Sequence, residues 1–131
     1  MKRGTLLAAL AAFGVLPAFA QAEVLPYTPG LVQQHLDAGE TVFVDFYADW
    51  CSTCRAQSRV LDQLKADNPE YEEKITFIQV DWDQYSDGDL ARRLEIPRRS
   101  TLVMLRGDMQ LGRIVSGTRM SDIKALLDAG L

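Results

Sequence analysis

The chain has 131 residues, 47% of them apolar, with 14 basic and 18 acidic side chains and a net charge of −4. That is the size of one domain around one core and leaves no room for a second. An acidic balance excludes a nucleic-acid or anionic-membrane binder, whose electrostatic footprint is basic.

The first twenty residues, MKRGTLLAALAAFGVLPAFA, read as a secretory signal peptide. Lys2 and Arg3 give the positive start, Thr5 to Leu16 the apolar run, and Ala18-Phe19-Ala20 the small-x-small end. The run is short of the roughly 20 residues a membrane span needs, so no stable insertion is expected after cleavage. No cysteine stands directly after Ala20, so a lipid anchor has no attachment point near the expected cleavage site. The expected mature domain, 21–131, keeps 14 − 2 = 12 basic residues against 18 acidic ones, a net of −6. Export implies an oxidising compartment, where disulfides form and persist.

Thr28 as cap, Pro29 at the first helical position and Gly39 as terminator predict a short helix over LVQQHLDAG. Thr41 to Tyr47, TVFVDFY, is β-branched and aromatic, a strand buried on both faces. From Cys51 to about Ala66, the positions Ala56, Val60, Leu61 and Leu64 recur at helical spacing. Ile75 to Val80 is a second strand, followed by polar DWDQYSDGD and a short helix over Leu90 to Leu94. Thr101 to Leu105 and Leu111 to Val115 flank RGDMQ, which reads as a hairpin turn. Ser121 caps a last helix ended by Gly130. The order α-β-α-β-α-β-β-α predicts an α/β domain with a mixed central sheet flanked by helices.

Both cysteines lie in DWCSTCR, Asp49 to Arg55, where the first strand turns into a helix. A zinc site needs three or four protein ligands. Beyond the two thiolates the chain offers one imidazole, His35 on the first helix, so no metal is expected within one chain. Two chains sharing four thiolates would still satisfy zinc or an iron–sulfur cluster. As a staple the pair closes a four-residue loop, worth only about 2 kcal/mol in chain entropy.

The redox reading uses the position directly. A thiol at a helix start meets unpaired N–H groups and the positive end of the dipole, which favour the thiolate. Cys51 would attack a disulfide, and Cys54, one turn further in, would resolve the mixed disulfide. Asp45 lies inside an apolar strand, where desolvation raises a carboxyl pKa into a range useful for general acid–base work.

The segment TVFVDFYADWCSTCR resembles the active-site segment of thioredoxins, a buried VDFWA strand followed by WC-x-x-C and a basic residue. The resemblance runs over the mature chain in element order and implies a thioredoxin-like three-layer sandwich. It makes Cys51 the attacking cysteine, Cys54 the resolving one with a Cys51–Cys54 redox disulfide, and Asp45 the buried acid that exchanges protons with the resolving thiol. Trp50 becomes the aromatic at the contact surface. The leader and the CSTC sequence make the chain more similar to periplasmic thioredoxin-like proteins. Those imply protein thiols and disulfides as partners, a membrane electron relay as donor, no cofactor and a monomer.

Two departures from that pattern stand out. Gln79 occupies the place of a lysine that many thioredoxins carry near the buried acid. In IPRRST, Ile96 and Thr101 fall where the family has an aliphatic residue and a threonine around a cis-proline. Ser100 then takes the proline's place unless the loop has shifted to use Pro97. A cis Arg99–Ser100 bond would cost about 3 to 4 kcal/mol, so either the fold carries that strain or the bond is trans in a rearranged loop. Arg99, Ser100 and Thr101 are expected to meet substrate, and Arg98, Arg99 and Arg55 to form a basic rim that favours the Cys51 thiolate and steers acidic partners.

Overall fold

The structure, a computed structural model, describes Gly14 and residues 23–131. The expected signal peptide, apart from Gly14, lies outside the described residues. Among these no helix is long and apolar enough to cross a membrane.

The chain runs β1 (Leu25–Pro26), α1 (Leu31–Asp37), β2 (Thr41–Tyr47), α2 (Ser52–Asp67), α3 (Glu70–Lys74), β3 (Ile75–Asp81), α4 (Trp82–Tyr85), α5 (Asp89–Arg93), β4 (Thr101–Arg106), β5 (Met109–Val115) and α6 (Met120–Ala129). The sheet order is β1-β3-β2-β4-β5. Strands β1, β3 and β2 are parallel, and β4 and β5 are added antiparallel. This is the expected mixed sheet flanked by helices.

Side chains alternate across a strand, so each strand feeds two cores. Val42, Val44 and Phe46 of β2 join Ile78, Val80, Val103 and Leu105 against Val32 of α1 and Leu90 and Ala91 of α5. On the opposite face Phe43, Phe77, Leu102 and Met104 meet Leu61 and Leu64 of α2 and Ile123, Leu126 and Leu127 of α6. Each such fully buried aliphatic or aromatic side chain contributes about 1.5–3 kcal/mol. Asp45 shares the second face with Phe43, two residues away. The pleat therefore aims its carboxyl at α2, the helix that begins at the cysteines.

Several predicted boundaries shift. Thr28 does not cap α1: Leu31 N–H donates to the Thr28 carbonyl at 3.0 Å, forming a turn, and the helix starts after Gly30. Gly39 does end it. At φ +84° it lets its own N–H reach the Leu36 carbonyl and the Glu40 N–H the His35 carbonyl, the paired bonds of a left-handed helix stop. The hairpin turn is tighter than RGDMQ, because Met109 and Gln110 belong to β5 and Gly107 takes a positive φ. Helix α6 starts after Arg119 with no side-chain cap, so Ser121 lies inside it.

Candidate active site

Cys51 occupies the N-cap of α2 in extended backbone, and its Sγ accepts the Cys54 N–H at 3.1 Å. A sulfur thus holds the place usually taken by a serine or aspartate oxygen, and it satisfies one of the helix's free donors. Strand β2 delivers the chain to this point: after Tyr47, Ala48 accepts the Cys51 N–H at 3.1 Å. The two cysteines are free thiols. Cys51 is 3% exposed and Cys54 has no exposed surface. Burial pushes the Cys51 thiol up, but the Cys54 thiol, the Ser100 hydroxyl, the Cys54 N–H and Arg99 outweigh it and bring it down to about 7. Burial and the neighbouring Cys51 raise Cys54. The pair is split into an outer sulfur that ionises readily and an inner one that stays protonated.

Ser100, not Pro97, stands beside the thiols, and no peptide bond among the described residues is cis. Of the two arrangements expected for Arg99–Ser100, the trans bond in a rearranged loop is the one found. Ser100 takes φ +60°, a left-handed conformation that costs a non-glycine residue about 1–2 kcal/mol. Three bonds hold it there. Its N–H donates to the Phe46 carbonyl at 2.8 Å, and its carbonyl accepts from Ser116 N–H at 2.8 Å and from Gln57 Nε2 at 3.0 Å. A proline could not make the first of these. The Ser100 hydroxyl accepts from the Cys54 thiol at 3.4 Å and lies 3.3 Å from Cys51 Sγ, to which its own proton is free to point. Cys54 S–H, Ser100 O–H and Cys51 S⁻ thus form one donor-to-acceptor chain. Ser100→Ala is expected to raise the Cys51 pKa by about one unit, the worth of one hydrogen bond to a charge. The pH dependence of iodoacetamide alkylation measures it, and an unmoved midpoint would contradict this role.

Asp45 pairs in register with Gln79 of β3 and Leu102 of β4 and is 6% exposed. Its Oδ1 is buried without a partner in the protein. Burial raises its pKa to about 7, while Gln79 and the Lys65 charge pull it down and Cys51 pushes it up. The carboxyl lines a groove of about 330 Å³ shared with Phe43, Phe77, Gln79, Asp62 and Lys65. Gln79 therefore faces the acid. The positive charge missing at that position comes from α2, where Lys65 Nζ lies 3.9 Å over the Phe77 ring.

Of the residues expected to meet substrate, Trp50 is 56% exposed, and its indole N–H is shared by both Asp83 oxygens at 3.0 and 2.9 Å. The Arg99 guanidinium lies 4.3 Å from the Trp50 ring centroid. Ser100 and Thr101 have no exposed surface; the Thr101 hydroxyl donates to the Arg98 carbonyl at 2.7 Å and fastens the loop from inside. Arg55 donates to the Asp49 carbonyl at 2.7 Å. His35 pairs with Glu40 at 2.7 Å, away from the cysteines, and no group of three or more metal-ligating side chains occurs among the described residues. Because Cys54 is fully covered, one ion shared by four thiolates of two chains would require this sulfur to be uncovered first.

Sequence reading missed three participants. Gln57 is fully buried and clamps the Ser100 carbonyl, but apolar periodicity passes over a polar residue. Asp83 and Lys65 are charged residues whose spacing alone gives no sign of their targets, Trp50 and the Asp45 groove.

The thioredoxin family profile matches residues 24–129. The mitochondrial thioredoxin-2 of Schizosaccharomyces pombe is 34% identical over 91 residues, 70% of this chain and 61% of that protein. Human endoplasmic reticulum resident protein 44 is 32% identical over 101 residues, 74% of this chain but 24% of its own length. The chain thus spans about three fifths of the first and a quarter of the second. Among solved structures, Trxlp of Edwardsiella tarda superposes with a TM-score of 0.69 at 28% identity, covering 80% of this chain and 98% of that one. With the profile running from β1 to the end of α6 and the paired sulfurs at the start of α2, the chain has the thioredoxin fold and belongs to the thioredoxin family.

Proposed function

We propose that the protein is an exported thiol–disulfide oxidoreductase that reduces protein disulfides. The observation that carries the activity is the Cys51 sulfur at the N-cap of α2, donated to by Cys54 N–H and flanked by the Ser100 hydroxyl, with a covered second thiol one turn away. The Cys51 thiolate attacks a substrate disulfide. One substrate sulfur leaves as a thiolate and takes up a proton, and a mixed disulfide forms. Cys54 then loses its proton towards the Asp45 carboxylate and attacks Cys51, and the second substrate sulfur leaves. Two electrons have moved: the substrate disulfide is now a dithiol, and Cys51 and Cys54 are joined.

The reducing direction is supported by the thiolate. Strong oxidants hold theirs near pKa 3.5, whereas thioredoxins sit at about 7, the value to which Cys51 is brought here. The domain also lacks the room for the helical insert that oxidant families carry. Export to the periplasm follows from residues 1–20, and in that compartment a monomeric reductase draws its electrons from a membrane relay. Expressed in place of the wild type, Cys54→Ser is expected to accumulate partner proteins bound to Cys51 and released by dithiothreitol. If no adduct forms while the wild type cycles, Cys51 is not the attacking thiol.

A further inference from the structure

Arg99 sits where a substrate must approach, and its charge is not matched within the fold. No carboxylate pairs with Arg99 or with its neighbour Arg98 among the described residues. The Arg99 Nε is buried without a partner, while the guanidinium carbon lies over the face of Trp50. Trp50 in turn is more than half exposed yet fixed, because Asp83 grips its N–H edge with both oxygens. Asp83 takes the edge of the indole and Arg99 a face, so the ring is a rigid shelf that presents the cation. The Arg99 guanidinium is also near enough to Cys51 to help lower its pKa.

We propose that Arg99, shelved on Trp50, reads a carboxylate beside the attacked cysteine, so that the preferred substrates are protein disulfides flanked by aspartate or glutamate. This inference rests on the oxidoreductase reading and names its substrate class. Before attack, the guanidinium lies over Trp50, the residue preceding Cys51, and favours the neighbouring thiolate. When that sulfur bonds to a substrate sulfur, the substrate S–S bond breaks and the negative charge departs with the leaving thiolate. Cys51 becomes neutral in the mixed disulfide, and the guanidinium is left without an anion. A substrate carboxylate at that place restores the pairing, and the planar fork of an arginine suits two carboxylate oxygens at once. A lysine there would place like charges together. The chain as a whole is acidic, with 18 acidic against 14 basic residues, so an acidic segment is repelled from most of the surface and finds an unpaired cation at Arg99.

The test uses the reduced full domain and three peptide disulfides that differ only in the residue next to the attacked cysteine: glutamate, glutamine or lysine. Single-turnover reduction is followed by acid quench and mass spectrometry at low ionic strength. The glutamate peptide is expected to react about tenfold faster than the lysine peptide, the worth of one charge-assisted contact. Added salt should narrow the gap. Arg99→Gln should flatten the series. It also weakens the thiolate, but that loss is common to all three peptides and cancels in their ratio. Arg99→Lys should keep the order with a smaller spread. Equal rates in the wild type, or an unchanged ratio in Arg99→Gln, would overturn the inference while leaving the oxidoreductase reading intact. Failure of every peptide to react would overturn both.

Discussion

Asp45→Asn is expected to stabilise the reduced protein by up to about 4 kcal/mol at pH 8 and above, with the gain vanishing near pH 4. The wild-type carboxyl is buried with one oxygen unpartnered, and burial raises its pKa to about 7 from an ordinary 3.8. Below pH 3.8 it is protonated in the folded and unfolded chain alike and costs nothing. As pH rises, the unfolded chain releases the proton first, so the folded state loses about 1.4 kcal/mol per pH unit until about pH 7, and the loss is then constant. Asparagine keeps the shape and does not titrate. Urea unfolding of both proteins at pH 4, 6 and 8 should give curves that diverge with pH; a constant offset would show that Asp45 does not carry a raised pKa. The same substitution removes a proton acceptor, so resolution by Cys54 should slow near neutral pH as stability rises. Loss of the neighbouring negative charge should also ease ionisation of Cys51. Such opposed changes in stability and rate are expected where a buried charge is kept for chemistry.

Much of this site could be read from residue order, and the exceptions have physical causes. Strand β2 is apolar on both faces, so a lone aspartate inside it had to be desolvated. The alternation of Val42, Val44 and Phe46 with Phe43 defines two faces, but only the packing of α2 against Phe43 shows which of them the carboxyl shares. The sulfurs were legible because a helix start is a chemical environment with known donors. By contrast β1 is two residues long and exists only through parallel pairing with β3, while α3 and α4 are too short to show a period. Ser100 was identified by position, but its trans bond and left-handed φ depend on partners up to 54 positions away along the chain, such as the Phe46 carbonyl. Capping residues misled twice, at Thr28 and Ser121, because each sits near a helix start that tertiary packing places elsewhere.

The residue that was least legible leads to the other large effect. Gln57 lies one turn beyond Cys54 on the buried face of α2, and its amide nitrogen donates to the Ser100 carbonyl at 3.0 Å and the Gly117 carbonyl at 2.9 Å. These belong to the segments entering β4 and leaving β5, so one side chain ties the cysteine helix to both. Gln57→Leu keeps the bulk, removes both bonds and leaves the Gly117 carbonyl to find another donor. It also removes a buried Oε1 that has no partner in the protein, which offsets part of the loss. The net cost should be about 2 kcal/mol in urea unfolding. Ser100 keeps its bonds to Phe46 and Ser116, but its hydroxyl is no longer held between the sulfurs by a fixed carbonyl. The Cys51 alkylation midpoint should therefore rise as well, by less than in Ser100→Ala. The two variants separate the hydroxyl's chemistry from the clamp: Ser100→Ala moves the thiol with little change in stability, whereas Gln57→Leu moves both. A stability loss with no shift in the thiol would mean that Ser100 stays in place without the clamp. An unchanged stability would mean that the buried amide contributes nothing to the fold.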